Sequence, residues 1–153
     1  MREQLGVDQA DPDAAAGNNG DVNGSRPSDV PAGVTPSTTS YPAALPEVVG
    51  VGAIDADNKR APFTPDPAPW ISLLARGTDL NAAYLRGEVR PADQSQTIRF
   101  DGIANWAGCS FAAGVVTGVI AARTEPGRRS ARQALDELMG SLCYEPQPGL
   151  LIN

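Results

Sequence analysis

The chain has 153 residues, with 18 acidic side chains, 12 basic ones and no histidine, giving a formal net charge of −6. That balance argues against nucleic acid and anionic membrane as partners, because both need a basic face, and no apolar run approaches the ~20 residues of a membrane span. With 16 glycines and 14 prolines, loops should be extensive, and the length fits one domain or part of one.

Residues 1–40 read as a mostly irregular segment, polar and rich in Asp, Gly, Pro, Ser and Thr. Met1 to Asp8 lacks the apolar core of a signal peptide, which leaves the location open. The one apolar cluster of this segment is Ala14-Ala15-Ala16, followed by the turn Gly17-Asn18-Asn19-Gly20. Order is expected from Tyr41 onward, with residues 41–140 as the ordered body and 141–153 as a tail. Val48 to Ile54 is a short continuous apolar run with β-branched residues and turn formers on both sides, which predicts a buried strand. Asp55 to Lys59 reads as a surface turn, and Ala61 to Pro69, with its four prolines, as an irregular loop. Trp70 to Leu74 predicts a second strand and Gln96 to Phe100 a third.

Ser110 to Ala122 is apolar nearly all round with small residues throughout, which predicts a buried helix. Gly114 and Gly118 lie four apart, the spacing of a close backbone approach. Ser130 with Gln133 has the form of a capping box opening a second helix, which should end near Gly140. Strands followed by helices, with near-continuous apolar patterning, predict an α/β fold with parallel strands.

Two stretches carry chemistry. In Gly108-Cys109-Ser110-Phe111-Ala112-Ala113 a serine opens the helix. The helix dipole and its free N–H groups stabilise negative charge there, and small neighbours admit a substrate carbonyl. The plainer reading is that Ser110 only caps the helix. In the turn after Ala16, the Asn18 amide can point at a developing oxyanion; the plainer reading is an ordinary Asn-Gly turn.

Taken in order, these stretches resemble the subtilisin-like serine proteases (subtilases, peptidase family S8). Ala15 to Gly20 matches the family's A-A-G-N-x-G. Tyr41-Pro42-Ala43 leads into a strand, as in the family, and Lys59-Arg60-Ala61-Pro62-Phe63 supplies its basic, small and aromatic residues. Leu74-Ala75-Arg76-Gly77 stands where the family has A-P-G, and Gly108 to Gly118 where it has G-T-S-x-A-A-P-x-V-x-G. The resemblance implies a partial subtilisin-like fold, the C-terminal part of a catalytic domain, with Ser110 as nucleophile. It implies Asn18 and the Ser110 backbone N–H as oxyanion donors, and Ala14, Ala15, Ala16 and Gly17 as one wall of the substrate pocket. A peptide or protein substrate would lie as an extended strand beside that wall.

The chain departs from the pattern at Cys109 for Thr, Gly114 for Pro and Arg76 for Pro. The family's Asp and His precede the A-A-G-N stretch, and the residues before Ala14 hold neither D-[ST]-G nor H-G-T. In subtilisin itself, loss of the histidine costs about 2 × 10⁶ in kcat. The expectation is thus an incomplete domain, inactive alone; a variant of this reading is a split enzyme in which a second chain supplies Asp and His. The alternative is a non-catalytic pseudoprotease acting as a binding or scaffold protein.

Cys109 at a helix start invites a thiolate reading, but without histidine a cysteine protease is disfavoured. Cys109 and Cys143 are compatible with one bridge or two free thiols. Asp8, Asp11, Asp13 and Asp21 lack the D-x-D-x-D-G spacing of a calcium loop, so no metal is expected, and nothing requires a cofactor. Arg123, Arg128, Arg129 and Arg132 read as an exposed basic cluster.

Overall fold

The computed structural model describes residues 12–20, 32–90, 96–141 and 150–152. Strand β2 (Val49–Ile54) is buried at every position. Its odd residues Val49, Val51 and Ala53 face one core, and Ile54 faces a second core on the other side of the sheet. This two-sided burial is why its sequence runs apolar without alternation. Strand β3 (Ile71–Arg76) pairs parallel with β2. Strand β1 (Asp13–Ala15) pairs parallel with the other side of β2, with Ala14 opposite Gly50. An aspartate and a preceding proline are tolerated in β1 because it is a short edge strand.

After β3 the chain leaves the sheet as a ribbon of β4 (Leu80–Val89) and β5 (Ile98–Trp106), paired antiparallel. Two helices follow, α1 (Cys109–Arg123) and α2 (Ala131–Ser141). Strand β6 (Leu150–Ile152), within the stretch read from sequence as a tail, then pairs parallel with β3. The sheet order is β1-β2-β3-β6, so the α/β class with parallel strands holds for the main sheet. The ribbon is a correction: the expected third strand is longer than Gln96 to Phe100, antiparallel, and outside the parallel sheet.

Helix α1 lies across β1, β2 and β3, with α2 packed against it. Cys109, Ala112, Val116 and Ile120 point into the main core, where they meet Leu73 and Ala75 of β3 and Ala134, Leu135 and Leu138 of α2. Burying a side chain such as Val116 or Leu73 is worth about 1.5–3 kcal/mol, so this layer holds the helix in place.

Full burial of α1 is not observed. Gly114, Thr117, Gly118, Ala121 and Ala122 are exposed, and no described atom comes near where a Cβ on Gly114 or Gly118 would sit. The close approach expected at these glycines is not made, because no described element covers that stripe of the helix. A groove of about 490 Å³ runs beside it, lined by Asp13, Thr117, Ile120, Ala121 and Thr124 among others. At its rim the Thr117 hydroxyl donates to the Asp13 carboxylate at 2.9 Å.

The capping box at α2 forms reciprocally. The Gln133 N–H donates to Ser130 Oγ at 3.2 Å and the Ser130 N–H to Gln133 Oε1 at 2.9 Å. The basic cluster is laced to acids at the surface, with Arg129 against Glu137 at 3.5 Å and Arg132 against Asp136 at 3.4 Å. That matches an exposed, solvated face.

Candidate active site

The turn after β1 is brought to the start of α1 by a few specific contacts. Gly17 has φ +105°, and a Cβ there would sit 2.7 Å from Asn19 Oδ1, so the turn needs glycine at this point. Gly20 donates its N–H to the Phe63 carbonyl at 2.8 Å, and a Cβ on Gly20 would come within 2.4 Å of the Pro62 carbonyl oxygen. The A-A-G-N turn and the proline-rich loop are thereby pressed together. Ala16 is fully buried; its N–H donates to Val51 and its carbonyl accepts from the Trp70 indole at 3.2 Å. Ala14 and Ala15 are half-buried in β1, with Gly17 half-buried just beyond.

Asn18 reaches across to α1. Its Oδ1 accepts the Cys109 N–H at 2.8 Å. Gly108, the N-cap, contributes no side chain, so an asparagine from elsewhere in the chain does the work of a capping residue. With Oδ1 engaged, Nδ2 is the end left to face outward. A Cβ on Gly108 would lie 3.3 Å from both Asn18 Nδ2 and Ser110 Oγ. The two side chains therefore converge on the same glycine.

Ser110 is the second residue of α1 rather than its cap, and it is exposed. The orphan donors of this first turn can be followed one by one. Asn18 takes the N–H of Cys109, and the Gly108 carbonyl accepts from Phe111 at 3.1 Å and Ala112 at 3.4 Å. Among the described residues, the N–H of Ser110 is left without a partner. No acidic side chain lies in this first turn, so the positive end of the helix dipole is not neutralised from within.

Cys109 points the other way. It is fully buried, and burial pushes its thiol up from the ordinary value, with the Thr64 hydroxyl, the Ala53 backbone and Arg60 pulling weakly down. A protonated, inaccessible thiol is a poor nucleophile, so the structure sides against the cysteine reading. Cys109 is a free thiol, and Cys143 lies outside the described residues. So do Asp8, Asp11 and Asp21. Asp13 is the one of the four aspartates that is described, and its carboxylate is held by Thr117.

Sequence reasoning missed two contributors. Thr64 is buried, donates to the Ala53 carbonyl at 2.9 Å, accepts the Ala53 N–H at 3.1 Å and lies 3.6 Å from Cys109 Sγ. It ties β2, the proline-rich loop and the helix start together, and nothing local in the sequence marks it. Trp106 stacks on Phe111, with ring centroids 6.2 Å apart and planes 14° apart. In sequence the two residues flank Gly108 and Ser110, a signal visible once the turn is known.

Comparison with known proteins places the fold and the family. Residues 13–134 match the Subtilase family, Peptidase_S8. The prenylagaramide maturation protease PagA is 27% identical, with a TM-score of 0.56 over 86% of this chain and 40% of its own. The subtilase cytotoxin SubAB shares the fold at 19% identity and a TM-score of 0.58, over 92% of this chain and 45% of its own. The chain thus spans less than half the length of the solved structures it resembles. No curated protein matches it. With the family match running from β1 into α2, the chain belongs to the subtilase family.

Proposed function

We propose that this chain carries the serine half of a subtilase active site and works as an endopeptidase once a second polypeptide supplies the family's Asp and His. The observation that carries the proposal is the N–H of Ser110, unpartnered among the described residues, beside the amide end of Asn18 and the Ser110 hydroxyl. Two donors and a nucleophile at one point are what attack on a peptide carbonyl requires.

In that reaction the Ser110 oxygen bonds to the carbonyl carbon while its proton passes to the incoming histidine. The carbonyl oxygen becomes an oxyanion held by Asn18 Nδ2 and the Ser110 N–H. Collapse breaks the C–N bond, and the amine leaves with the proton from histidine. Ala14 to Gly17 line the substrate backbone on one side. The polypeptide that brings the base docks along the outer edge of β1, which no described strand covers, where the groove beside α1 offers it apolar surface. Without it the chain has no histidine, and serine alone is a weak nucleophile.

The test is complementation. The chain is mixed with a polypeptide holding the D-[ST]-G and H-G-T part of a subtilase domain, and casein hydrolysis is followed. Hydrolysis should arise only in the mixture and vanish with Ser110→Ala. Fast stoichiometric fluorophosphonate labelling of Ser110 in the chain alone would overturn the need for a partner. A mixture that forms a complex and hydrolyses nothing would favour the pseudoprotease reading instead.

A further inference from the structure

Strand β1 parts from β2 at Ala16, and side chains make the parting. In a continuing parallel ladder the Ala53 N–H would donate to the Ala16 carbonyl, one step beyond the bond from the Ala16 N–H to Val51. Thr64 Oγ1 takes the Ala53 N–H instead, at 3.1 Å. The Ala16 carbonyl, on a residue with no exposed surface, accepts from the Trp70 indole N–H at 3.2 Å. A buried carbonyl left without a partner is costly, so the indole stands in for the lost ladder bond. Trp70 lies just before β3, half-buried against the cluster of Ala16, Ile54, Ala68, Ile71 and Leu74. The β2–β3 register shifts between Gly50 and Val51, and a Cβ on Gly50 would lie 2.1 Å from the Trp70 carbonyl oxygen. Glycine there lets the Trp70 backbone lie against β2, which brings its ring within reach of the end of β1.

We propose that Trp70 is a positioning residue for the oxyanion donor: its indole N–H holds the Ala16–Gly17 peptide plane, and through it the direction in which Asn18 leaves the turn. The proposal rests on the reading of Asn18 as that donor. Ala16 is pinned at both ends, through its N–H by Val51 and through its carbonyl by Trp70, and only Gly17 separates it from Asn18. Gly17 has φ +105°, and glycine is the residue that least restricts its own backbone. The aim of Asn18 is therefore inherited from the plane before Gly17 and from the Cys109 N–H that Oδ1 accepts. That aim matters, because misplacement by about 1 Å can cost ~10²-fold in rate.

Trp70→Phe keeps a ring in the second core and removes the donor. In the chain alone, NMR relaxation should show the Asn18 Nδ2 group, rigid in the parent, becoming mobile on the picosecond-to-nanosecond timescale, while the Asn105 Nδ2 group stays as it was. In the complemented enzyme kcat should fall about tenfold, with KM changed by less than about twofold. On an Asn18→Ala background Trp70→Phe should lower kcat no further, the non-additivity of two residues acting through one group. A merely structural tryptophan would lower both backgrounds alike. If Trp70→Phe unfolds the chain, the benzothiophene analogue of tryptophan at position 70, on a Trp106→Phe background, keeps the shape, drops only the N–H and should give the same results. An Asn18 Nδ2 group as rigid in the variant as in the parent, or equal losses in both backgrounds, would overturn the tether. A mobilised Asn18 in a mixture that never hydrolyses casein supports the tether and refutes only the nucleophile.

Discussion

Asn18 does two things with one side chain, and the two are separable by substitution. Its Oδ1 caps α1 through the Cys109 N–H, and its Nδ2 is the proposed oxyanion donor. Asn18→Ala should lower stability by about 1 kcal/mol, the usual cost of a lost cap, seen as a shift in the urea midpoint. Asn18→Asp keeps the acceptor and adds a charge that suits a helix start, so stability should be retained. In the complemented enzyme the same Asp variant should lose about 10²–10³ in kcat, because a carboxylate donates nothing to an oxyanion. The placement of Asn18 in a turn and of Ser110 at a helix start was legible from sequence. The bond between them through Cys109 was not, because it joins residues whose separation no local pattern encodes.

At the level of elements, what could be read depended on how local the cause was. The Ser130–Gln133 capping box lies within one turn, and it forms as read. Ser130→Ala should cost about 1 kcal/mol in thermal or urea unfolding, and Gln133→Ala should also destabilise, since each removes one of the two reciprocal bonds. Strand β2 was legible because burial on both faces leaves an unbroken apolar run. Strand β4 was not. Its alternation is interrupted by the register shift between Ala83 and Arg86, which moves later side chains to the opposite phase and hides the period. The exposure of α1 was illegible for another reason: composition shows that a helix is apolar, but not whether a neighbour exists to cover it.

For the whole molecule, the parallel sheet with its helices and the β4–β5 ribbon differ in how they are held. The sheet is locked by two cores, whereas the ribbon's main contacts are between its own strands. Local opening should therefore be easier in the ribbon. Hydrogen exchange read by mass spectrometry should show residues 80–90 and 98–106 exchanging well before β2 and β3. Uniform exchange across all four strands would show that the ribbon is coupled to the core more tightly than its packing implies.

The link from Asn18 to Cys109 closes a loop of 91 residues, and that from Asp13 to Thr117 one of 104. Closing such loops costs entropy before any contact repays it, and contacts this distant in sequence slow folding. The pairing of Asn18 with the start of α1 is therefore a product of the long-range fold and not of any local segment, so a peptide cut out around either residue would not hold the arrangement.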